Sequence, residues 1–422
     1  MKITRILLLT AVCALPCAAQ EIKVDFDGTG GVRTGAPVFS AAIPEAPAPE
    51  RRAPAEWTIM VYMNAKNNLE ASAIKDINEM ETVGSTDKVN LLVEAGRIDG
   101  YDASNGDWKS TRRYRIARDA DAARIGSPVL ADLGKTDMGD YRNIAAFGQW
   151  AKANYPAKRY MLIVWNHGTG WVKKSRGISY DEETGNHVNT PQLAAALRGI
   201  GGVDLYASDA CLMQMAEVAY ELRGAAALIA GSVETEPMDG FDYAALLSPL
   251  AAGPSLSPEQ LGKLLVDSFV AQYVSPSRGA TYSLVNAAGL AGLAAAAKRF
   301  TDAALRSGDK APFLKARASA QAYSHLEYKD LYDLVRLSAE GASSPEVRNS
   351  ALALMEQLKK KVLIHSRFNN SDGSSWWLPT DFDDTTGLTV YLPAIAPATG
   401  YDELQWAKDS GWQDFAAWLA RP

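Results

Sequence analysis

A chain of 422 residues that is 47% hydrophobic and 22% charged has the make-up of a globular protein, which excludes the disordered and fibrous classes. Its formal charge of -6, with no basic tract, excludes nucleic acid as an expected partner. Beyond the first twenty residues no stretch reaches the eighteen or so charge-free apolar residues that a spanning helix requires, so no transmembrane span is expected.

In chain order, Lys2 and Arg5 precede an apolar run from Ile6 to Leu15, and Ala18 and Ala19 follow. This reads as a secretory signal over residues 1–19, hence an exported protein, periplasmic or extracellular. Pro16 directly before Cys17 is a poor match to lipid-anchor processing, which favours a soluble product. Residues 20–56 repeat Pro, Ala and Gly and cannot bury much apolar surface, so they read as a linker or pro-segment. Within them Arg51-Arg52 is either a processing site or a solvated basic pair.

From Trp57 the pattern alternates between apolar strand and amphipathic helix. Strands are expected at 57–63, 89–93, 160–165, 203–207 and 226–232, with a short edge hairpin near 113–116. Helices are expected at 68–83, 140–154, from Thr190-Pro191, where proline takes the first helical position, and at 213–222. Continuous apolar strands separated by helices imply an α/β fold, a mostly parallel sheet covered on both faces. We read 57–255 as this domain. Residues 256–422 read as a mainly helical C-terminal region packed on it, with helices at 258–271, 288–304, 312–320 and 345–362, a late strand at 388–392 and a Trp-containing last helix. There is no internal repeat.

Cys13 and Cys17 lie in the signal, so the mature chain holds one cysteine, Cys211. A solitary thiol outside the cytoplasm is a buried small hydrophobe, a partner for an intermolecular bridge, or a reactive group. Cys211 and His167 both follow a strand at its carboxyl end, where ligands collect in open parallel sheets. If the two strands are neighbours, imidazole and thiol share one cleft and can act as base and nucleophile. The backbone N–H groups of Gly168 and Cys211 would then donate to an oxyanion. A helix starting at Met213 would favour thiolate through its N-terminal dipole.

The stretch Leu162-Ile-Val-Trp-Asn-His167-Gly-Thr-Gly-Trp171, with Asp209-Ala-Cys211, resembles the clostripain-type cysteine peptidases, relatives of caspases, gingipains and legumains. The resemblance extends to Tyr62-Met-Asn-Ala-Lys-Asn-Asn-Leu-Glu70, where Lys66 stands at a position commonly aspartate, and to Ser232-Val-Glu-Thr-Glu-Pro-Met-Asp-Gly-Phe-Asp-Tyr243. It implies a three-layer α/β/α sandwich of caspase-like type and a thiol endopeptidase acting on proteins or peptides. By position, His167 matches the catalytic histidine and Cys211 the nucleophile. The family's preference for Arg or Lys before the scissile bond implies an acidic pocket, with Asp209 as one acid and Asp239 as the second. Asp209 as a helix cap and Asp239 as a turn residue are the plainer readings. Relatives are often cleaved between histidine and cysteine. Lys173, Lys174 and Arg176 therefore mark a candidate self-processing loop, or else a solvated basic cluster.

No Cys/His spacing suits zinc, and no phosphate loop or Gly-x-Ser-x-Gly elbow occurs, so no cofactor is required. Asp181-Glu182-Glu183 is a possible calcium site or an exposed acidic loop. His187, His325 and His365 read as structural. The rival readings are a non-catalytic peptide-binding protein on a peptidase fold, and a related peptidase with a non-basic preference.

Overall fold

The computed structural model of the chain describes residues 54–171, 177–275, 277–373 and 381–421. The signal, most of the linker and the three basic residues Lys173, Lys174 and Arg176 lie outside the described residues. Ala55 and Glu56, read from sequence as the end of the linker, instead open the first strand. Glu56 is held there by Lys158 at 2.6 Å and Arg159 at 3.4 Å on the neighbouring strand.

The strands in chain order are β1 (Ala55–Ala65), β2 (Val89–Arg97), β3 (Thr111–Arg115), β4 (Val129–Asp132), β5 (Ala157–Trp165), β6 (Ile178–Asp181), β7 (Asn186–Val188), β8 (Val203–Asp209), β9 (Ala226–Gly231), β10 (Ala280–Asn286), β11 (Tyr328–Asp330), β12 (Leu363–Asn369) and β13 (Thr389–Tyr391). Among the described residues nine of them form one sheet in the order β12-β10-β9-β8-β5-β1-β2-β3-β4. The middle strands from β9 to β2 run parallel, and the two outer strands on each side are antiparallel. Parallel strands must be buried on both faces, which is why the middle ones are continuously apolar.

β1 shows how the two faces are filled. Trp57, Ile59, Val61 and Met63 point into one core with α1 (Glu70–Val83), while Met60 and Tyr62 point into the other with α2 (Tyr141–Asn154), α3 (Thr190–Ile200) and α4 (Ala216–Leu222). α5 (Tyr243–Ala252) and α6 (Pro258–Val274) complete the first layer. α7 (Leu290–Ser307), α8 (Ala311–Ser319), α9 (Leu331–Gly341), α10 (Pro345–Gln357), α11 (Gln405–Asp409) and α12 (Trp412–Ala420) extend the second. Alternation of period two along each strand thus produces a three-layer α/β/α sandwich.

The region beyond 256 is mainly helical, yet it also supplies β10 and β12 to the central sheet, and with the strands before it forms one compact unit, Ala53–Pro422. The late strand at 388–392 is β13, which pairs with β11 and stands apart from the central sheet. Gln214 stitches these pieces together. Its buried side-chain amide donates to the Ile229 carbonyl at 3.4 Å and to the Ser283 carbonyl and hydroxyl at 3.2 and 3.0 Å, while its main-chain carbonyl accepts from the Thr389 N–H at 3.1 Å. Gln214→Ala leaves buried acceptors without a donor and is expected to lower unfolding stability by about 2 kcal/mol. Urea denaturation checks this, and an unchanged midpoint would mean that the stitch is inert.

Candidate active site

β5 and β8 are neighbours, in parallel register with Trp165 opposite Asp209. The ladder continues one step past the strands, because the Asn166 N–H donates to the Asp209 carbonyl at 3.1 Å. The next residue is His167, and two residues past Asp209 stands Cys211. Gly168 closes the gap. A methyl group on its α-carbon would lie 2.3 Å from the Cys211 carbonyl oxygen and 3.1 Å from the Cys211 nitrogen. Only glycine lets the two strand ends approach this closely.

The turn that carries His167 is fixed from several sides. Asn166 donates its side-chain amide to the Asn64 carbonyl and accepts from the Tyr180 N–H at 2.8 Å. The Thr169 N–H donates to the Gly177 carbonyl at 2.9 Å, and the Tyr328 hydroxyl donates to the Thr169 carbonyl at 2.7 Å. His167 itself is half-buried, with Nε2 at 2.7 Å from Asn68 Oδ1. An amide oxygen only accepts, so Nε2 carries the proton in this arrangement and Nδ1 is the basic nitrogen of the neutral ring. Asn68 sits in the turn between β1 and α1, a partner that the sequence alone did not single out.

Cys211 is half-buried and is followed by Leu212 in the left-handed region at φ 62°. This reversal sends the chain along residues 232–234, where the Leu212 N–H donates to the Glu234 carbonyl at 3.0 Å and the Gln214 N–H to the Ser232 carbonyl at 2.9 Å. The helix expected from Met213 therefore begins only at Ala216. Residues 212–215 thus separate its first turn from the thiol in sequence. What touches the sulfur is the Glu236 N–H, at 3.2 Å from Sγ. Burial pushes the thiol up to about 12, the carboxylates of Glu236 and Glu234 push the same way, and the Glu236 N–H opposes them. The thiol is therefore protonated at neutral pH. Among the described residues neither the Gly168 nor the Cys211 N–H enters a backbone hydrogen bond.

Asp209 is buried beneath this turn and accepts from the Tyr243 hydroxyl at 2.8 Å. It does not cap α4, whose first turn has no side-chain cap. Its acidic neighbour is Glu236, with which it shares a hydrogen bond. Burial pushes Asp209 up to about 7 and Glu236 well above the usual carboxylate range, and each is raised further by adjacent carboxylates. Asp76 of α1, which accepts from Trp165 Nε1 at 2.7 Å, is also raised by burial and by the nearby Asp209. Gly240, at φ 59°, passes over this group with no room for a side chain, since an added carbon would lie 2.9 Å from Asp209 Oδ1.

Asp239 does not join it, and here the expected acid pair needs correction. Its carboxylate is half-exposed and bound to Lys75 at 3.2 Å and Arg278 at 2.9 Å. The Gly240 N–H donates to the Pro237 carbonyl at 3.0 Å, so Asp239 occupies a tight turn. Glu236, three residues earlier in the same acidic motif, faces Asp209 instead. Spacing alone could not choose between them, because Pro237 and the turn after it decide which acid points inward.

The acids at 181–183 are each engaged elsewhere. Asp181 accepts from the Met138 and Thr184 N–H groups at 2.9 and 3.1 Å. The Tyr101 hydroxyl donates to Glu182 at 2.7 Å, and Glu183 holds Lys66 at 2.8 Å and Lys135 at 2.5 Å. Among the described residues no group of three or more His, Cys, Asp or Glu side chains is gathered to hold a metal ion. His365 bonds Asp267 at 2.8 Å, and His325 stacks on Tyr328 with ring centroids 5.0 Å apart.

A model of the clostripain family, Peptidase C11, matches residues 61–418. Clostripain from Hathewaya histolytica is 32% identical over 230 residues, 48% of this chain, and the match spans only 43% of that relative's length. A secreted C11 cysteine protease from Bacteroides thetaiotaomicron, solved in complex with an irreversible peptide inhibitor, superposes with a TM-score of 0.66 at 23% identity, covering 85% of this chain and 99% of its own. An inactive zymogen C11 protease from Parabacteroides distasonis gives 0.64 at 21% identity with the same coverage. These two likenesses establish a shared caspase-like fold.

Asp209 stays protonated in the folded protein up to about pH 7, whereas in the unfolded chain it ionises near 4. Its burial thus costs stability progressively as pH rises from about 4 to 7. Asp209→Asn is expected to be about neutral at pH 4 and stabilising by something of the order of 4 kcal/mol above pH 7. Thermal denaturation of both proteins across that range measures it, and a pH-independent difference would mean that Asp209 is charged in the fold.

Proposed function

The chain belongs to the clostripain family of cysteine peptidases, and on that footing we propose that it is an exported endopeptidase that cleaves after Arg or Lys through a His167/Cys211 dyad. The observation that carries this reading is the approach of Gly168 to the Cys211 carbonyl, which requires β5 and β8 to end side by side. His167 takes the thiol proton as sulfur attacks the scissile carbonyl carbon. The oxygen of the tetrahedral intermediate accepts from the Gly168 and Cys211 N–H groups. As the C–N bond breaks, His167 returns the proton to the departing amine, leaving a thioester on Cys211. Water, deprotonated by His167, then hydrolyses the thioester and frees the acid. The side-chain cation of the residue before the cleaved bond docks on Asp209, which ionises on receiving it.

Export is supported by the N-terminal charge and apolar pattern, and among the described residues no helix is long and apolar enough to cross a membrane. No step of the mechanism uses a metal, so activity is expected to survive a calcium chelator. Self-cleavage at Lys173, Lys174 or Arg176 fits the resting state of a protonated thiol, since one of the similar structures is a zymogen.

Fluorogenic peptides with Arg, Lys, Asn or Asp before the leaving group test the proposal. Arg and Lys peptides are expected to turn over, and Cys211→Ala and His167→Ala to lose at least about 10⁴-fold in kcat/KM. No turnover of any peptide, including after limited proteolysis in the loop, would overturn the peptidase reading. On a gel, wild type is expected to fragment between 173 and 176 while Cys211→Ala stays whole. Equal fragmentation would assign the cut to another protease.

A further inference from the structure

Among the described residues three basic side chains are buried, and two of them hold carboxylates: Lys66 pairs with Glu183 at 2.8 Å and Arg97 with Glu70 at 2.6 Å. The third, Lys329 in the middle of β11, is 7% exposed and makes no hydrogen bond or ion pair among the described residues. It stands opposite Val390 on β13 and bridges Ala322 on its other side, so the strands that flank it offer only apolar side chains. The chain reaches Ala322 directly from α8, whose last turn carries Arg317. Arg317 is half-buried, has no carboxylate partner, and donates one N–H to the Pro393 carbonyl at 3.0 Å, just past β13. Burial lowers both cations, and the like charge of Arg317 lowers Lys329 further. The acids nearest in sequence are engaged elsewhere: Asp330 accepts from the Thr386 N–H at 2.7 Å, Asp333 holds Arg336 at 2.5 Å, and Glu327 faces the Tyr391 hydroxyl.

We propose that Lys329 and Arg317 form an anion site, between β11 and the end of α8, that takes a tetrahedral dianion: phosphate or sulfate, free or as a monoester. Charge decides the class of ligand. The carboxyl-terminal end of α8 supplies about half a unit of negative charge, well short of the two positive units beside it. A dianion balances the pair, whereas a single carboxylate leaves one cation unmet. Lys329 offers three donors from a point charge, and Arg317 keeps the N–H groups of its fork that Pro393 does not use. An unpaired buried ammonium is costly, so occupation removes a penalty as well as adding bonds. The site lies apart from His167 and Cys211. Tyr328 sends its hydroxyl to the Thr169 carbonyl in the His167 turn, and successive side chains of a strand point to opposite faces, so Lys329 points away from that turn. The inference therefore stands independently of the peptidase reading.

Isothermal titration calorimetry on the wild-type protein, at neutral pH and constant ionic strength, tests this with sodium phosphate, sulfate, phenyl phosphate and acetate. Phosphate and sulfate are expected to bind saturably at one site with a Kd of the order of 1 mM or tighter, and acetate at least about tenfold more weakly. Phenyl phosphate binding as tightly as phosphate would assign the site to monoesters, and binding about tenfold more weakly would assign it to the free ion. Lys329→Met is expected to weaken phosphate at least about tenfold and, with no anion added, to raise the midpoint of urea denaturation, because it removes an unpaired buried charge. Arg317→Gln, at a half-buried position, is expected to weaken phosphate by a similar factor and carries the test where Lys329→Met does not fold. Absence of saturable heat from either dianion at about 20 mM would overturn the site. An unchanged phosphate Kd in Arg317→Gln would do the same, since the ion would then be bound elsewhere.

Discussion

The parallel pairing of β5 with β8 is the constraint from which the site follows. Two strands from distant parts of the chain end at one level, and the backbone bond from Asn166 to Asp209 extends their register just far enough to align His167 and Cys211. Glycine at 168 is the condition for that approach, because any side chain would strike the Cys211 carbonyl. Both flanking layers serve the pairing. α1, α5 and α6 seal one face and α2, α3 and α4 the other, so the strand ends are positioned by a rigid core while the loops beyond them remain available for chemistry.

The same architecture creates an electrostatic tension. Asp76, Asp209 and Glu236 are carboxyl groups in low-dielectric surroundings, and burial raises all three. Groups of this kind diminish folding stability and collect where a function requires them. Beside them the thiol is also held protonated, chiefly by burial.

Much of this was legible in the sequence because it depends on local pattern. The continuous apolar runs at 160–165 and 203–207 read as parallel strands, and the fold pairs them so that His167 and Cys211 follow adjacent strand ends. β10 and β12 were missed because polar residues interrupt their apolar positions and weaken the signal, as in Thr281, Ser283, His365 and Ser366. The helix start was misplaced because Leu212 adopts a left-handed conformation that no propensity favours. Asp239 was chosen over Glu236 because the sequence lists acids without showing which one Pro237 and the Gly240 turn direct inward. Asn68 was passed over because it read as the first residue of the helix expected at 68–83, and nothing local reveals its partner 99 positions away.

The central claim is that positive charge on the substrate is recognised by buried acid next to Cys211. The most direct measurement is kcat/KM for two peptides that differ only in arginine or citrulline before the scissile bond, since citrulline keeps the shape and removes the charge. The account predicts that the arginine peptide is favoured by at least about 10³-fold, in line with the loss of a buried charge partner. Equal rates would contradict it.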